Sequence, residues 1–443
     1  WEEFEKHLRS LDIDELETVC GVDREIVRAA AIEYSAAKAA MEFHGLGVTE
    51  HWQGTKAITL IANIAMMTGN IGKEGAGVNP LRGQNNVQGA ADMGVQPHQG
   101  AGYLPVDDPV VNKLYSDYYG KSVPSGTGYR IPEMFRASEK GDLKAMWIIG
   151  EDLLQTDPNT CHVRNALENL EFLVVQELFM TDTARIADVV LPASSFLEKE
   201  GTFTNGERRI QKVNRVVDPL PGTKPDGQII TEIMNRMGFF QEEYHPASAL
   251  REISGIVPFF KGVRWEELGS NGKQWPVNED GSGTLILHTE SFKRGKGKFH
   301  VWDFEETEEL LSYSEKFPYI LTTGRILEHY NSGSMTRRTP NSQLVKEDIL
   351  FIHPVDAKRK GISDNDTVSL FSARGNTVMK ARITDVVKPG VVYTTFHFPE
   401  ASINYLTSGI ADEFTLTPEY KVVAVDFEKS LFGRFSGPGC RND

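Results

Sequence analysis

The sequence predicts an α/β protein, doubly wound through its first half and ending in a β-barrel. Three observations predict it. Residues 11–68 read helix, strand, loop, helix, the order of a doubly wound sheet. The same order returns from residue 144. From residue 314 onward, short strand patterns separated by Gly and Pro replace it, as in a compact barrel.

Taken in order, residues 11–38 are helical, with Ile26, Val27, Ala30 and Ile32 on one apolar face. Residues 40–48 read as a strand ending in Gly45 and Gly47. A helix over 53–68 stops at Thr68-Gly69-Asn70, a good C-cap. Residues 70–103 break the pattern, with glycines at 72, 75, 77, 83, 89, 94, 100 and 102 and with Asn and Gln between them. Their bulky hydrophobes favour an ordered loop around a ligand. Residues 144–149 are a buried strand running into Gly150-Glu151-Asp152. A helix over 159–170 and strands over 173–176 and 187–191 follow. Strand ends followed by short polar turns are where open parallel sheets bind ligands. Residues 200–209 are a polar loop, 227–238 are helical, and 253–300 have little periodicity. Barrel strands are expected over 319–323, 367–371, 377–383, 391–396 and 422–425.

The 443 residues allow two to four domains and ample core. Net charge is 47 − 62 = −15, which argues against broad nucleic-acid binding but leaves room for a local basic pocket. No run is long and apolar enough to span a membrane. Cys20, Cys161 and Cys440 lie far apart and form no CxxC pair. A disulfide scaffold, a zinc ribbon and an iron–sulfur motif are therefore not expected in this stretch, and the cysteine count suits a reducing compartment. HExxH, a P-loop and a Ser–His–Asp arrangement are missing, so hydrolase and nucleotide-kinase chemistry have no specific support.

Four segments gather chemistry. The run Asn79 to Gly89 places amide side chains and Arg82 on Gly-permissive backbone. It can hydrogen-bond a large polar ligand from several directions, and the fork of Arg82 matches a small carboxylate. A loop held by its own Asn and Gln bonds has the same composition. Gly150 to Pro158 puts Asp152 at a strand end, where it could accept from a ribose or a guanine edge. The same residues also make an ordinary helix start at Thr156, Asp157 and Pro158. Arg208 and Arg209 flank a Gly-containing turn that suits phosphate or simple solvation. Thr323 to Arg338 runs from a strand into a loop with hydroxyls, His329 and three arginines, Arg325, Arg337 and Arg338. That is a phosphate or sugar pocket in composition.

In order, the segments GLGVTEHWQG, TGNIGKEGAGVNPLRGQNNVQGAADMG, GEDLLQTDP, QELFMTDTARIADVVLPASSFLEKEGTFTNGERRIQ, TTGRILEHYNSGSMTRR and LTPEYK resemble the molybdopterin oxidoreductase superfamily. Within it they resemble the formate dehydrogenase catalytic subunit, from about Val27 to Phe427, most weakly over 235–310. The NPLRGQNNVQG form separates formate dehydrogenases from nitrate reductases. The resemblance implies two doubly wound α/β domains and a double-psi-type barrel. Its expected divisions are 1–85 with the arginine loop, 86–195 for one pterin dinucleotide, 196–313 as an irregular connection, and 314–443 as the barrel that binds the other.

It also implies a bis(molybdopterin guanine dinucleotide) cofactor with molybdenum or tungsten, and formate oxidation in the cytoplasm. Electrons would pass to iron–sulfur, flavin/NAD or hydrogenase subunits. Arg82 matches the family's active-site arginine. Leu46, Glu50, Gln84, Asp152, Thr156, Gln176, Arg325, His329, Tyr330, Ser332, Phe396, Asn404 and Lys421 fall where the family contacts the dinucleotides, and Arg209 is a further phosphate candidate. Glu50 stands where a relative has Gln, and Phe396 where one has Tyr. The family's 4Fe–4S cysteines and its cysteine or selenocysteine metal ligand have no counterpart here, so those groups are expected outside this sequence. The alternatives are another reaction on the same scaffold, such as nitrate reduction, or a non-catalytic cofactor-binding fragment.

Overall fold

The computed structural model describes residues 1–430 and 438–441. Three helices open the chain: α1 (Glu2–Ser10), α2 (Ile13–Cys20) and α3 (Arg24–Ala36). The single helix expected over 11–38 is thus two. Gly21, in the left-handed region at φ 64°, ends α2, and the Asp23 carboxylate caps α3 by accepting from the Glu25 N–H. Strand β1 (Met41–His44) pairs in parallel with β2 (Gly77–Pro80), from Met41 opposite Gly77 to His44 opposite Pro80. The strand expected to reach residue 48 stops at His44. Between Gly45 and Glu50 the chain makes one helical turn, α4 (Leu46–Thr49), and then enters α5 (Gly54–Met67). Gly45 and Gly47 give a strand no side chains to pack, so the turn wins.

The expected loop over 70–103 contains β2 and α6 (Val87–Asp92). A Cβ on Gly89 would fall 3.3 Å from the Thr204 amide nitrogen and 2.1 Å from Asn86 Oδ1. Only glycine lets α6 approach this closely while Asn86 Oδ1 accepts from the Thr204 N–H at 3.0 Å.

The second α/β unit is a three-stranded parallel sheet: β3 (Ala145–Ile149), β4 (Phe172–Glu177) and β5 (Val189–Pro192), with β4 central. The crossover helix α7 (Thr160–Glu168) packs Val163, Ala166 and Leu167 on Ile148, Leu173 and Val175. Each such side chain contributes roughly 1.5–3 kcal/mol by leaving water.

Residues 196–313 are more than a connection. A hairpin, β6 (Gly201–Thr204) with β7 (Arg209–Val213), is followed by helices α8 (Asp226–Arg236) and α9 (Pro246–Ile256), and β7 and α9 contribute to a further core. Ile210, Leu250, Val257, Phe260, Leu268 and Trp275 are its centre, and Met93, Tyr103 and Tyr115 pack against it. This core draws on 3₁₀ turns and side chains far apart in sequence, and periodicity cannot reveal it.

The barrel has six closed strands: β8 (Tyr319–Gly324), β9 (Ile349–Ile352), β10 (Thr367–Phe371), β11 (Gly375–Ile383), β12 (Val391–Thr395) and β13 (Val423–Lys429). The order is β9-β12-β8-β13-β10-β11, and β11 returns to β9. The β8–β12 and β9–β11 pairs are parallel and the others antiparallel. Leu321, Leu350, Ile352, Leu370, Val392 and Phe427 fill the interior.

One expectation is corrected outright. Cys161 on α7 and Cys440 in the C-terminal strand form a disulfide, with Cα atoms 5.9 Å apart across 279 residues of sequence. Spacing hid the pair because the barrel's last segment returns to the second α/β unit. The cysteine count therefore loses its bearing on compartment. No helix among the described residues is long and apolar enough to cross a membrane.

Candidate functional site

A cleft of 550 Å³ opens between the first α/β unit and the barrel. Leu46, His51, Leu81 and Arg82 line one side, and Thr323, Arg325 and Lys421 the other. A Cβ at Gly45, Gly47 or Gly83 would meet nothing within 4 Å, so bare backbone faces this space. Three cations converge here. Lys421 Nζ lies 2.9 Å from the Glu50 carboxylate, both nearly buried, and donates to the Thr323 carbonyl at 2.8 Å. The Arg325 guanidinium sits 4.9 Å from the centre of the Phe396 ring, and its Nε donates to Asn331 Oδ1 at 3.3 Å. With one anion for three cations, the cleft favours an anionic ligand.

Arg82 lies in an exposed turn. Its Nε donates to Gln88 Oε1 at 2.8 Å. Gln88 Nε2 in turn donates to Asp92 Oδ1 at 2.7 Å and lies 2.8 Å from the Tyr103 hydroxyl. That hydroxyl donates to Asp92 Oδ1 at 2.7 Å, and the Trp275 indole donates to Asp92 Oδ2 at 2.7 Å. Asp92 is wholly buried. Burial pushes its carboxyl upward, and the hydrogen bonds and the Arg82 charge oppose that shift.

A second cavity, of 230 Å³, lies at the carboxyl ends of the parallel strands against the barrel. Asp152, Gln155, Asp182 and Arg185 meet Arg337, Arg338 and Glu400 there. Asp152 accepts from the Thr183 N–H at 3.0 Å and its hydroxyl at 2.7 Å, and burial still holds its carboxyl above the ordinary range. Burial and the neighbouring Glu151 push Asp157 up to about 8. Gln155 Oε1, Gln176 Oε1 and Arg337 Nε are buried with no hydrogen-bond partner among the described residues. Buried polar atoms are ordinarily satisfied. A polar ligand offering both donors and acceptors could satisfy Gln155 and Arg337, which line this cavity.

Other expected residues stitch the walls together. Asn404 Nδ2 donates to the carbonyls of Gln155 at 2.8 Å and Thr156 at 3.1 Å. Gln155 Nε2 donates to the carbonyls of Ser332 at 2.8 Å and Phe396 at 3.2 Å. The Tyr330 hydroxyl accepts from the Asn85 N–H, which ties the arginine loop to the barrel. His329 is buried between Thr336 Oγ1 at 3.1 Å and the Val345 carbonyl at 2.9 Å. Gln176 Nε2 donates to Asp226 Oδ1 at 2.7 Å. Gln84 is exposed beside Arg82. Arg209 instead holds Glu207 at 2.7 Å and the Asn271 carbonyl at 3.1 Å, outside both clefts.

A model of the molybdopterin oxidoreductase family matches residues 8–236, and one of the molybdopterin dinucleotide-binding domain matches 319–424. The chain belongs to the molybdopterin oxidoreductase family. Its cofactor is accordingly of the molybdopterin type, and the barrel is a dinucleotide-binding part of it. An F420-dependent formate dehydrogenase subunit alpha from Methanocaldococcus jannaschii is 43% identical over 93% of this chain and 61% of that protein. Formate dehydrogenase H from Escherichia coli is 36% identical over 97% and 61%. The chain thus spans about three-fifths of the length of these relatives. Among solved structures, acetylene hydratase from Pelobacter acetylenicus superposes with a TM-score of 0.67 at 16% identity, over 97% of this chain and 66% of that one, which shows a shared fold.

Sequence reasoning missed Asp92, Tyr103 and Trp275 as supports of the Arg82 site. Gln88 and Asp92 stand four apart on a helix, which was a readable signal. The aromatic partners come from remote segments and gave none.

Proposed function

We propose that this chain belongs to the catalytic subunit of a molybdenum- or tungsten-dependent formate dehydrogenase. The observation that carries this reading is Arg82, exposed in a cleft whose other charges are held in fixed places. Formate loses its hydrogen and two electrons and leaves as carbon dioxide and a proton. The bound bis(molybdopterin guanine dinucleotide) metal centre supplies the two-electron acceptor. Arg82 would hold the formate carboxylate through its planar fork and keep the C–H bond aimed at the reacting centre. Lys421 and Arg325 would offset the dinucleotide phosphates, and Leu46 would close the wall beside Arg82. Glu50 and Thr156 would fix their neighbours at the cofactor's edge. Asp152, Gln176 and the Gln155–Asn404 pair would read the guanine ends, while His329, Tyr330, Ser332 and Phe396 shape the barrel side. Gln84 is a further proposed contact, whereas Arg209, held by Glu207 and the Asn271 carbonyl outside both clefts, is not. Iron–sulfur clusters and the acceptor subunit would lie outside the described residues.

Replacing Arg82 with Ala in the holoenzyme tests the assignment. Formate-dependent dye reduction should fall about 100-fold or more, as when one transition-state donor is lost, while pterin content stays unchanged. Unchanged turnover would remove Arg82 from the role. Nitrate reduction exceeding formate oxidation in the unmodified enzyme would favour the other reaction on this scaffold.

A further inference from the structure

The side chain of Arg82 makes one hydrogen bond among the described residues, and it uses Nε. A guanidinium can grip a carboxylate along its Nε–Nη edge or along its Nη1–Nη2 edge. Gln88 occupies the first. The amide of Gln88 has only one orientation that satisfies its neighbours. Oε1 must face the Arg82 donor, so Nε2 must face the Asp92 carboxylate. Asp92 is fixed by two further donors, the Tyr103 hydroxyl and the Trp275 indole. The indole is itself stacked on Phe259 with centroids 5.5 Å apart and planes 11° apart, and Arg208 lies over its face. The links behind Arg82 are hydrogen-bonded to one another, with Gln88, Asp92 and Trp275 buried, whereas Arg82 sits on exposed backbone next to Gly83.

We propose that Gln88, braced by Asp92, Tyr103 and Trp275, is a positioning residue that fixes the plane of the Arg82 guanidinium and commits a small carboxylate to its Nη1–Nη2 edge. This rests on the reading of Arg82 as the substrate arginine. The relay has a second consequence. Through the Gln88 amide, the buried carboxylate offsets part of the guanidinium charge without occupying the edge that meets substrate. Asp92 faces Arg82 through Gln88 and faces Arg208 across Trp275, and Arg208 is tied to the carbonyls of Trp275, Thr284 and Leu285.

The test is a double-mutant cycle on the pterin-loaded holoenzyme, with rates normalised to pterin content. Gln88→Met removes the three hydrogen bonds of the side-chain amide at nearly constant volume. It should lower kcat for formate 10- to 100-fold and change KM less than threefold, because charge still attracts the carboxylate but the C–H bond is misaimed. In an Arg82→Lys background the same change should cost less than threefold, because lysine has no guanidinium plane for Gln88 to fix. Tyr103→Phe, a milder removal of one brace, should lower kcat two- to tenfold with the same dependence on Arg82. An equal loss in both backgrounds would mean general damage and would overturn the relay. No loss from Gln88→Met in the unmodified background would overturn it too. Full activity of Arg82→Lys alone would overturn the substrate-arginine reading and the relay with it.

Discussion

Asp348 illustrates what single buried groups do in this chain. It is 2% exposed, and it accepts from the Thr395 hydroxyl and from the N–H groups of His397 at 3.3 Å and Phe398 at 3.1 Å. Burial nonetheless pushes its carboxyl up to about 6. An acid whose pKa is raised by folding binds its proton more tightly when folded. Its contribution to stability is therefore full below about pH 4 and is lost as pH rises through about 6. Asp348→Asn should flatten that dependence. Between pH 4 and 7, the melting temperature of the unmodified protein should fall relative to the variant, by an amount corresponding to roughly 3 kcal/mol at most. A relative rise over that range would contradict this account. At this scale the sequence singled out Arg82, Leu46, Arg325 and Lys421, which line one cleft, because their segments carry distinctive residue order. Their supports were not. Trp275 reaches Asp92 across 183 residues, and no local pattern announces such a contact.

The barrel loop Tyr330–Arg337 is held together around Gly333. Gly333 stands at φ 73°, and a Cβ there would fall 2.6 Å from the His397 carbonyl oxygen. Its N–H bonds the Tyr330 carbonyl at 2.8 Å, and its own carbonyl accepts from Arg337 at 2.9 Å. Gly333→Ala should therefore strain the loop by about 1–3 kcal/mol and move Ser332 and Arg337 together. Pterin retained through gel filtration should drop below that of Gly409→Ala, whose added methyl meets nothing within 4 Å. Equal retention would refute the coupling. The order of elements was readable from periodicity, with two kinds of error. Glycine interrupted elements that looked continuous, at Gly21 and at Gly45. The strand Ile349–Ile352 was missed, since four residues are too short to show alternation.

Over the whole molecule, hydrogen-bonding side chains join the α/β units to the barrel. Thr55 bonds Asp412 through both its N–H, at 3.0 Å, and its hydroxyl, at 2.8 Å. Asn404 and Gln155 join the second unit to the barrel, and Cys161–Cys440 adds a covalent tie. Polar joints of this kind hold a cleft open at a set width. The molecule exposes 25063 Å², against about 17,000 Å² for a compact monomer of this mass. One face of the parallel sheet is part of the excess, with Trp147, Ile149 and Phe172 between 36% and 46% exposed. Parallel sheets are ordinarily covered on both faces. The barrel and the α/β order were legible in the sequence; the joints were not, because each depends on partners that only the folded chain brings together. On the proposed function, these clefts hold two pterin guanine dinucleotides between the α/β units and the barrel. The most direct measurement is the guanine nucleotide and the molybdenum or tungsten released per chain when the purified holoenzyme is acid-hydrolysed. Two equivalents of GMP with one of metal is the expected result; a holoenzyme that oxidises formate yet releases no GMP would contradict it.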